Sequence, residues 1–193
     1  VVKFMVEYIG FKDVKVDFLH LHPENQKPQD YLVIAKNSKQ SFPKPNQKPT
    51  MCFISPLPPQ QSGIADYSAQ LLPYLSKYYD IDLVVGADDI KLFDYPTRTI
   101  QWFQSNYNQY DRIIYHFGNS QYHTYMIALL QQIPGIVVLH DFYLSDLLLH
   151  AKLLTKDRLY REHGYQAILQ NTNDYPCNKS ILNNALSVIV HSN

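Results

Sequence analysis

The chain is poor in the features that announce a function. Its two cysteines, Cys52 and Cys177, are too few for a disulfide framework or a zinc site. Cys52 sits inside an apolar run and reads as a small buried hydrophobe. Lys and Arg number 17, as do Asp and Glu, so the net charge is zero and the basic face of a sequence-independent nucleic-acid binder is missing. No apolar run approaches the roughly 20 residues of a membrane span, and the N-terminus carries no signal-peptide pattern. Absent too are Gly-x-Gly-x-x-Gly, a Walker lysine, Gly-x-Ser-x-Gly, His-Glu-x-x-His and Cys-x-x-Cys. Dinucleotide, P-loop, serine hydrolase, zincin and dithiol chemistries therefore lack support.

What is present is a globular composition: 193 residues, 46% hydrophobic and 18% charged, enough to bury a core and too apolar for disorder. Aromatic residues reach 13%, with 16 tyrosines whose flat faces and hydroxyls suit sugar or peptide contacts as well as ordinary packing. Pro43, Pro45 and Pro49 mark residues 37–49 as an extended linker between a short first piece and a longer second one.

The first piece reads helix, strand, strand. Residues 2–8 are helical up to a stop at Gly10. Val14, Val16 and Phe18 alternate with polar residues, and Tyr31 to Ala35 is a continuous apolar run. Some 36 residues are too few for an independent domain.

The second piece alternates strands and helices: strands at 51–54, 81–85, 111–115, 136–139 and 187–190, helices at 64–78, 121–132 and 142–154, with further helical stretches before the last strand. Short apolar strands each followed by a helix predict a Rossmann-like α/β fold, a parallel sheet with helices on both faces. Ligands of such sheets bind beyond the carboxyl ends of the strands. That rule selects Ser55–Gly63, His116–His123 and His140–Tyr143. In the first loop Gly63 permits close backbone approach at a helix N-terminus, where free N–H groups face an anion. In the second, His116, Asn119, Tyr122 and His123 leave a strand end together; they suit hydrogen bonding to a hydroxyl or phosphate, while Asn119 or Ser120 equally suits a helix cap. His116 and His123 do not share a helix face and lack further ligands at a zinc spacing, so no metal is expected. In the third, His140 and Asp141 point different ways, one to a substrate and one to the protein; Asp141 either orients the imidazole or caps the following helix. Asp80-Ile-Asp82 resembles a metal–nucleotide Asp-x-Asp, but it enters a strand rather than leaving one.

Four segments in this order carry a resemblance. They are Pro56-Leu-Pro-Pro-Gln-Gln-Ser-Gly-Ile-Ala-Asp-Tyr-Ser, Tyr115-His-Phe-Gly-Asn, Pro134-Gly-Ile-Val-Val-Leu-His-Asp and Ala185-Leu-Ser-Val-Ile-Val-His-Ser. Residues 50–193 resemble the N-terminal, acceptor-side half of a family 4 glycosyltransferase of the GT-B fold. The resemblance implies retaining transfer of a sugar from a nucleotide-sugar to a glycan or lipid-linked acceptor, usually without a metal. It implies catalytic-side roles for His140 and Asp141, and donor or acceptor contacts for Gly63, Asp66, Tyr67, His116, Gly118, Asn119 and His123. The family's second domain, with most of the nucleotide-sugar contacts and an acidic Glu-x7-Glu motif, is not in this sequence, so the chain is expected to be a truncated piece that binds no cofactor itself. Phe4-Met-Val-Glu-Tyr-Ile-Gly-Phe-Lys-Asp-Val and Gln29-Asp-Tyr-Leu-Val-Ile-Ala-Lys resemble the C-terminal tail of a class I methyltransferase, whose S-adenosylmethionine motifs would lie upstream of residues 1–36. The expected setting is the cytoplasm, at the inner face of the membrane where contact is peripheral. The rival readings are a methyltransferase with an accessory domain and a non-catalytic sugar- or protein-binding Rossmann-like module.

Overall fold

The structure, a computed structural model, describes residues 12–21, 28–36, 48–86, 94–169 and 175–191, the first two segments as backbone. The chain divides into two compact units, Val1–Gln47 with His191–Asn193, and Lys48–Val190. In the first, β1 (Lys12–Leu21) and β2 (Pro28–Lys36) pair antiparallel with Val16 opposite Val33 and Phe18 opposite Tyr31. The helix expected at 2–8, its stop at Gly10 and residues 37–47 of the linker lie outside the described residues.

The second unit is an all-parallel sheet of six strands in the order β5-β4-β3-β6-β7-β8. Its strands are β3 (Thr50–Ile54), β4 (Asp80–Val84), β5 (Thr97–Arg98), β6 (Arg112–Phe117), β7 (Ile136–Leu139) and β8 (Ser187–Val190). The helices are α1 (Gly63–Leu75), α2 (Ile100–Asn106), α3 (Thr124–Gln132), α4 (Ser145–His150), α5 (Lys156–His163), α6 (Gln166–Leu169) and α7 (Lys179–Asn184). This is a Rossmann-like α/β fold.

Side chains alternate along a strand, and here that period sorts them into two cores. Met51, Phe53, Ile81, Leu83, Ile114 and Val138 face one side, where Leu72 and Leu75 of α1 cover them. Cys52, Ile54, Val84, Tyr115, Phe117, Val137 and Leu139 face the other, under Phe103 of α2, Met126, Leu129 and Leu130 of α3, and Leu147 and Leu148 of α4. Each such aliphatic or aromatic side chain, fully buried, contributes about 1.5–3 kcal/mol.

The elements depart from expectation at their ends. Ser62 caps α1, its hydroxyl accepting from Ile64 N at 3.3 Å. The helix stops at Leu75 rather than 78, two residues after its interior Pro73. β6 runs two residues further than expected, so His116 lies inside the strand. The helix expected from 121 begins as a 3-10 turn over Gln121–His123. The one expected over 142–154 is confined to Ser145–His150, because residues 140–144 are held as a loop. β5 and α2 are additional; Thr99 caps α2 by accepting from Trp102 N at 3.1 Å.

Candidate functional site

The strand order reverses between β3 and β6: the chain runs from β3 outward to β4 and β5, then returns to β6 and proceeds the other way. A crevice at the carboxyl ends of the strands at such a switch point is the ligand position of open α/β sheets. The elements that flank that position here are the start of α1, the end of β6 and the loop after β7.

Strand parity places the polar groups. Ser55 follows Phe53 and Met51 on the α1 face, and its hydroxyl lies 2.7 Å from that of Ser68 on α1, both side chains buried. His116 follows Ile114 on the same face, and His140 follows Val138. His116 pairs with Val138 across the ladder, so the next inward-facing residue of the neighbouring strand end is His140. The two imidazoles meet, with His116 Nδ1 2.9 Å from His140 Nε2. His116 is fully buried, its ring 4.5 Å from that of Phe53. His140 is half-buried, and Tyr67 of α1 packs edge-on to it at 5.0 Å. His116, His140 and Tyr67 thus form one cluster at the carboxyl ends of β6 and β7.

The second cluster joins the two loops. Asn119 N donates to Asp141 Oδ2 at 2.8 Å. The Asn119 side chain accepts from Leu147 N at 2.9 Å and donates to Asp146 Oδ2 at 3.1 Å. Asn119 therefore does cap a helix, but the distant α4, whose own N-cap Leu144 offers no side-chain acceptor. Ser120 precedes the 3-10 turn without a side-chain cap bond. Of the two roles foreseen for Asp141, orienting His140 or capping the next helix, neither is what its carboxylate does here; it fastens the loop after β7 to the loop after β6.

Gly118 has a packing reason. A Cβ there would lie 2.1 Å from Ile64 Cδ1, 3.0 Å from Asp141 Oδ2 and 3.1 Å from His123 Cε1, so the glycine is what lets the first turn of α1 settle on the end of β6. Gly63 is the opposite case: an added Cβ meets nothing within 4 Å, and the helix start is open to solvent. Asp66, exposed in the first turn of α1, puts a negative charge beside those N–H groups. It favours the helix, and it opposes an incoming anion.

His123 is fully buried. Its Nδ1 lies 3.0 Å from the Ser120 hydroxyl and 3.3 Å from the Ser120 carbonyl, which can only accept, so Nδ1 carries the proton. Nε2 is then an acceptor, buried without a hydrogen-bond partner. Burial pulls this imidazole from the usual 6.5 down to about 4, and it is neutral at physiological pH.

The loop carrying His140 and Asp141 is held on several sides. His140 N donates to Phe117 O at 2.9 Å, and Leu144 N to Pro176 O at 2.8 Å. The buried Asn178 donates from Nδ2 to Phe142 O at 2.8 Å. Cys177, at φ 53°, is anchored in turn by its N–H, which donates to His163 Nε2 at 3.1 Å. On this framework Phe142 and Tyr143 stand exposed beside His140, their rings edge-on at 5.5 Å. Asn178, His163 and Ser68 are supporting residues that spacing alone does not reveal, since each acts from a separate element.

Other candidates resolve differently. Asp82 accepts from Arg98 Nε at 2.8 Å and from the Tyr110 hydroxyl at 2.7 Å, at the amino end of the sheet. A concavity of about 540 Å³ lies there, beside Lys48, Asp80 and Tyr95, on the side opposite the crevice. Cys52 is buried, and burial pushes its thiol up, so it is inert. Among the described residues no three His, Cys, Asp or Glu side chains gather as a metal-holding group, and no helix is long and apolar enough to cross a membrane. No family model, curated protein or solved structure matches the chain.

Proposed function

We propose that the chain is the acceptor-side half of a retaining glycosyltransferase that moves a sugar from a nucleotide-sugar to a glycan or lipid-linked acceptor. The observation that carries this reading is the half-buried imidazole of His140, in contact with His116 and Tyr67 at the carboxyl ends of β6 and β7. A hydroxyl-rich substrate needs fixed hydrogen-bonding groups beside flat apolar faces, and Phe142 and Tyr143 supply such faces next to His140. Hydrogen bonding from His140 to a sugar hydroxyl can strengthen as charge develops at the reacting carbon. The donor diphosphate approaches the open start of α1 at Gly63, where its charge is opposed by Asp66. Tight donor binding therefore calls for cationic groups from a second domain in cis, and catalysis for the donor to be held against the acceptor. In this reading S-adenosylmethionine belongs only to a domain upstream of residues 1–36. The reaction belongs to the cytoplasm, at the inner membrane face for a lipid-linked acceptor.

The test is sugar transfer from UDP- and GDP-sugars by the full-length polypeptide that contains these residues, beside the 193-residue chain alone. Transfer by the former only, lowered on the order of 10²-fold by His140→Ala, is expected. Full activity in a folded His140→Ala protein would overturn the role of His140. Glycan binding with no transfer from any donor would favour a binding module.

A further inference from the structure

The glycosyltransferase reading gives His140 a task and leaves its neighbour without one. His116 is fully buried at a core position of β6, where a valine or phenylalanine would pack without desolvating two ring nitrogens. Its Nδ1 lies 2.9 Å from His140 Nε2, and its ring is wedged against Phe53 at 4.5 Å. So placed, it presents its Nδ1 to His140.

The contact also restricts protons. One hydrogen lies between the two nitrogens. If His116 Nδ1 donates it, neutral His140 carries its own proton on Nδ1; if His140 Nε2 donates, its Nδ1 is an acceptor. Either way Nε2 of His140 is committed to His116, and a substrate reaching this ring meets its Nδ1 edge. Adding one proton to the neutral pair leaves the bond intact, and in either arrangement His140 Nδ1 is then a donor. Adding a second sets N–H against N–H and breaks it.

We propose that His116 is a positioning residue: it locks the ring orientation of His140, commits Nε2 of that ring to the shared bond, and makes the two imidazoles titrate as one unit that takes up a single proton. Among the described residues, titratable groups near the pair include Tyr67 of α1, its ring 6.2 Å from that of His116 and 5.0 Å from that of His140, and Asp141, next in the chain to His140. The consequence for catalysis rests on the glycosyltransferase reading; the coupling is a property of the chain itself.

The experiment is a pH titration of the histidine-labelled chain by long-range ¹H–¹⁵N spectra between about pH 5 and 8.5, the range in which imidazoles titrate. His116 Nδ1 and His140 Nε2 are expected to shift together with one midpoint and a single proton. His116→Phe keeps a ring against Phe53 and removes the bond; His140 should then titrate alone, with its neutral tautomers averaged. His116→Asn, whose amide can stand where Nδ1 stood, should restore a hydrogen bond to His140 Nε2 without shared titration. In the full-length protein His116→Phe should lower kcat about 10-fold or more with little change in donor KM, and His116→Asn should recover most of it. Identical His140 spectra in the wild type and a folded His116→Phe would overturn the proposal. Should the Phe variant not fold, a His116→Asn chain whose His140 keeps the wild-type midpoint would do the same. Coupled spectra with no sugar transfer anywhere would support the coupling and count against the glycosyltransferase reading alone.

Discussion

The backbone N–H of Asn119 and the carboxylate of Asp141, 2.8 Å apart, tie together the loops that leave two adjacent parallel strands. The Asn119 side chain extends the tie to the start of α4 through Leu147 N and Asp146. Both residues therefore support the site through geometry. Asn119→Ala should cost about 1 kcal/mol, the scale of losing a helix cap, and Asp141→Ala about 1–2 kcal/mol for an ionised acceptor. Urea unfolding at neutral pH measures both. A change under about 0.3 kcal/mol in either would show that the tie is not maintained in solution.

Gly118 and Gly63 should respond oppositely to alanine. At Gly118 the new Cβ collides with Ile64 Cδ1, and a loss of about 1–3 kcal/mol is expected from overpacking. Ile64→Val removes the colliding carbon, so the double variant should recover part of the loss. At Gly63 the space is open and the residue begins a helix, so Gly63→Ala should be neutral or stabilising by up to about 1 kcal/mol. Gly63→Val should weaken nucleotide-sugar binding in the full-length protein, because a branched side chain blocks backbone approach to a diphosphate. Unchanged donor affinity there would remove the start of α1 from the donor site.

His123 should make stability depend on acid. Its folded value of about 4 lies below the 6.5 of an ordinary imidazole, so between these pH values the unfolded chain binds more protons than the folded one. Stability therefore rises with pH through this window and is lost as pH falls from about 6.5 towards 4, by up to about 3 kcal/mol. His123→Asn keeps a donor to Ser120 and does not titrate. Its unfolding free energy should change less between pH 7 and pH 4.5 than that of the wild type, and equal changes would contradict the buried neutral imidazole.

His163 lies far along the chain from the crevice, yet it should affect the crevice. It anchors Cys177 N, and the flanking Pro176 and Asn178 hold Leu144 N and Phe142 O of the loop that carries His140. In His163→Ala, hydrogen exchange at Leu144 should accelerate by about 10-fold or more while that at Val138 in β7 stays unchanged, since local openings need not involve the core strand. Equal acceleration at both would indicate general destabilisation instead.

Much of this was written in the sequence. Short apolar runs at 51–54 and 136–139 announce strands whose faces are both covered, because side-chain direction reverses at every residue whatever the neighbours are. The same parity puts Ser55, His116 and His140 on the faces of Phe53, Ile114 and Val138. That the polar loops gather at one end of the sheet follows from parallel strands alone. β5 was not legible, since two residues, Thr97 and Arg98, carry no period; α2 has only the Thr99 cap as a signal.

What the tertiary structure decided is partnership. Only the order of strands makes β6 and β7 neighbours and so brings His116 to His140. Only the docking of α4 beside the β6 loop turns Asn119 into a cap for a helix that begins 26 residues later, and only the closeness of α1 crowds a side chain at Gly118. Local chemistry limits which bonds a residue can make; which of them it makes depends on chain segments brought near by the burial of two apolar faces, and hydrogen bonds and close contacts act over a few ångströms, blind to separation along the chain.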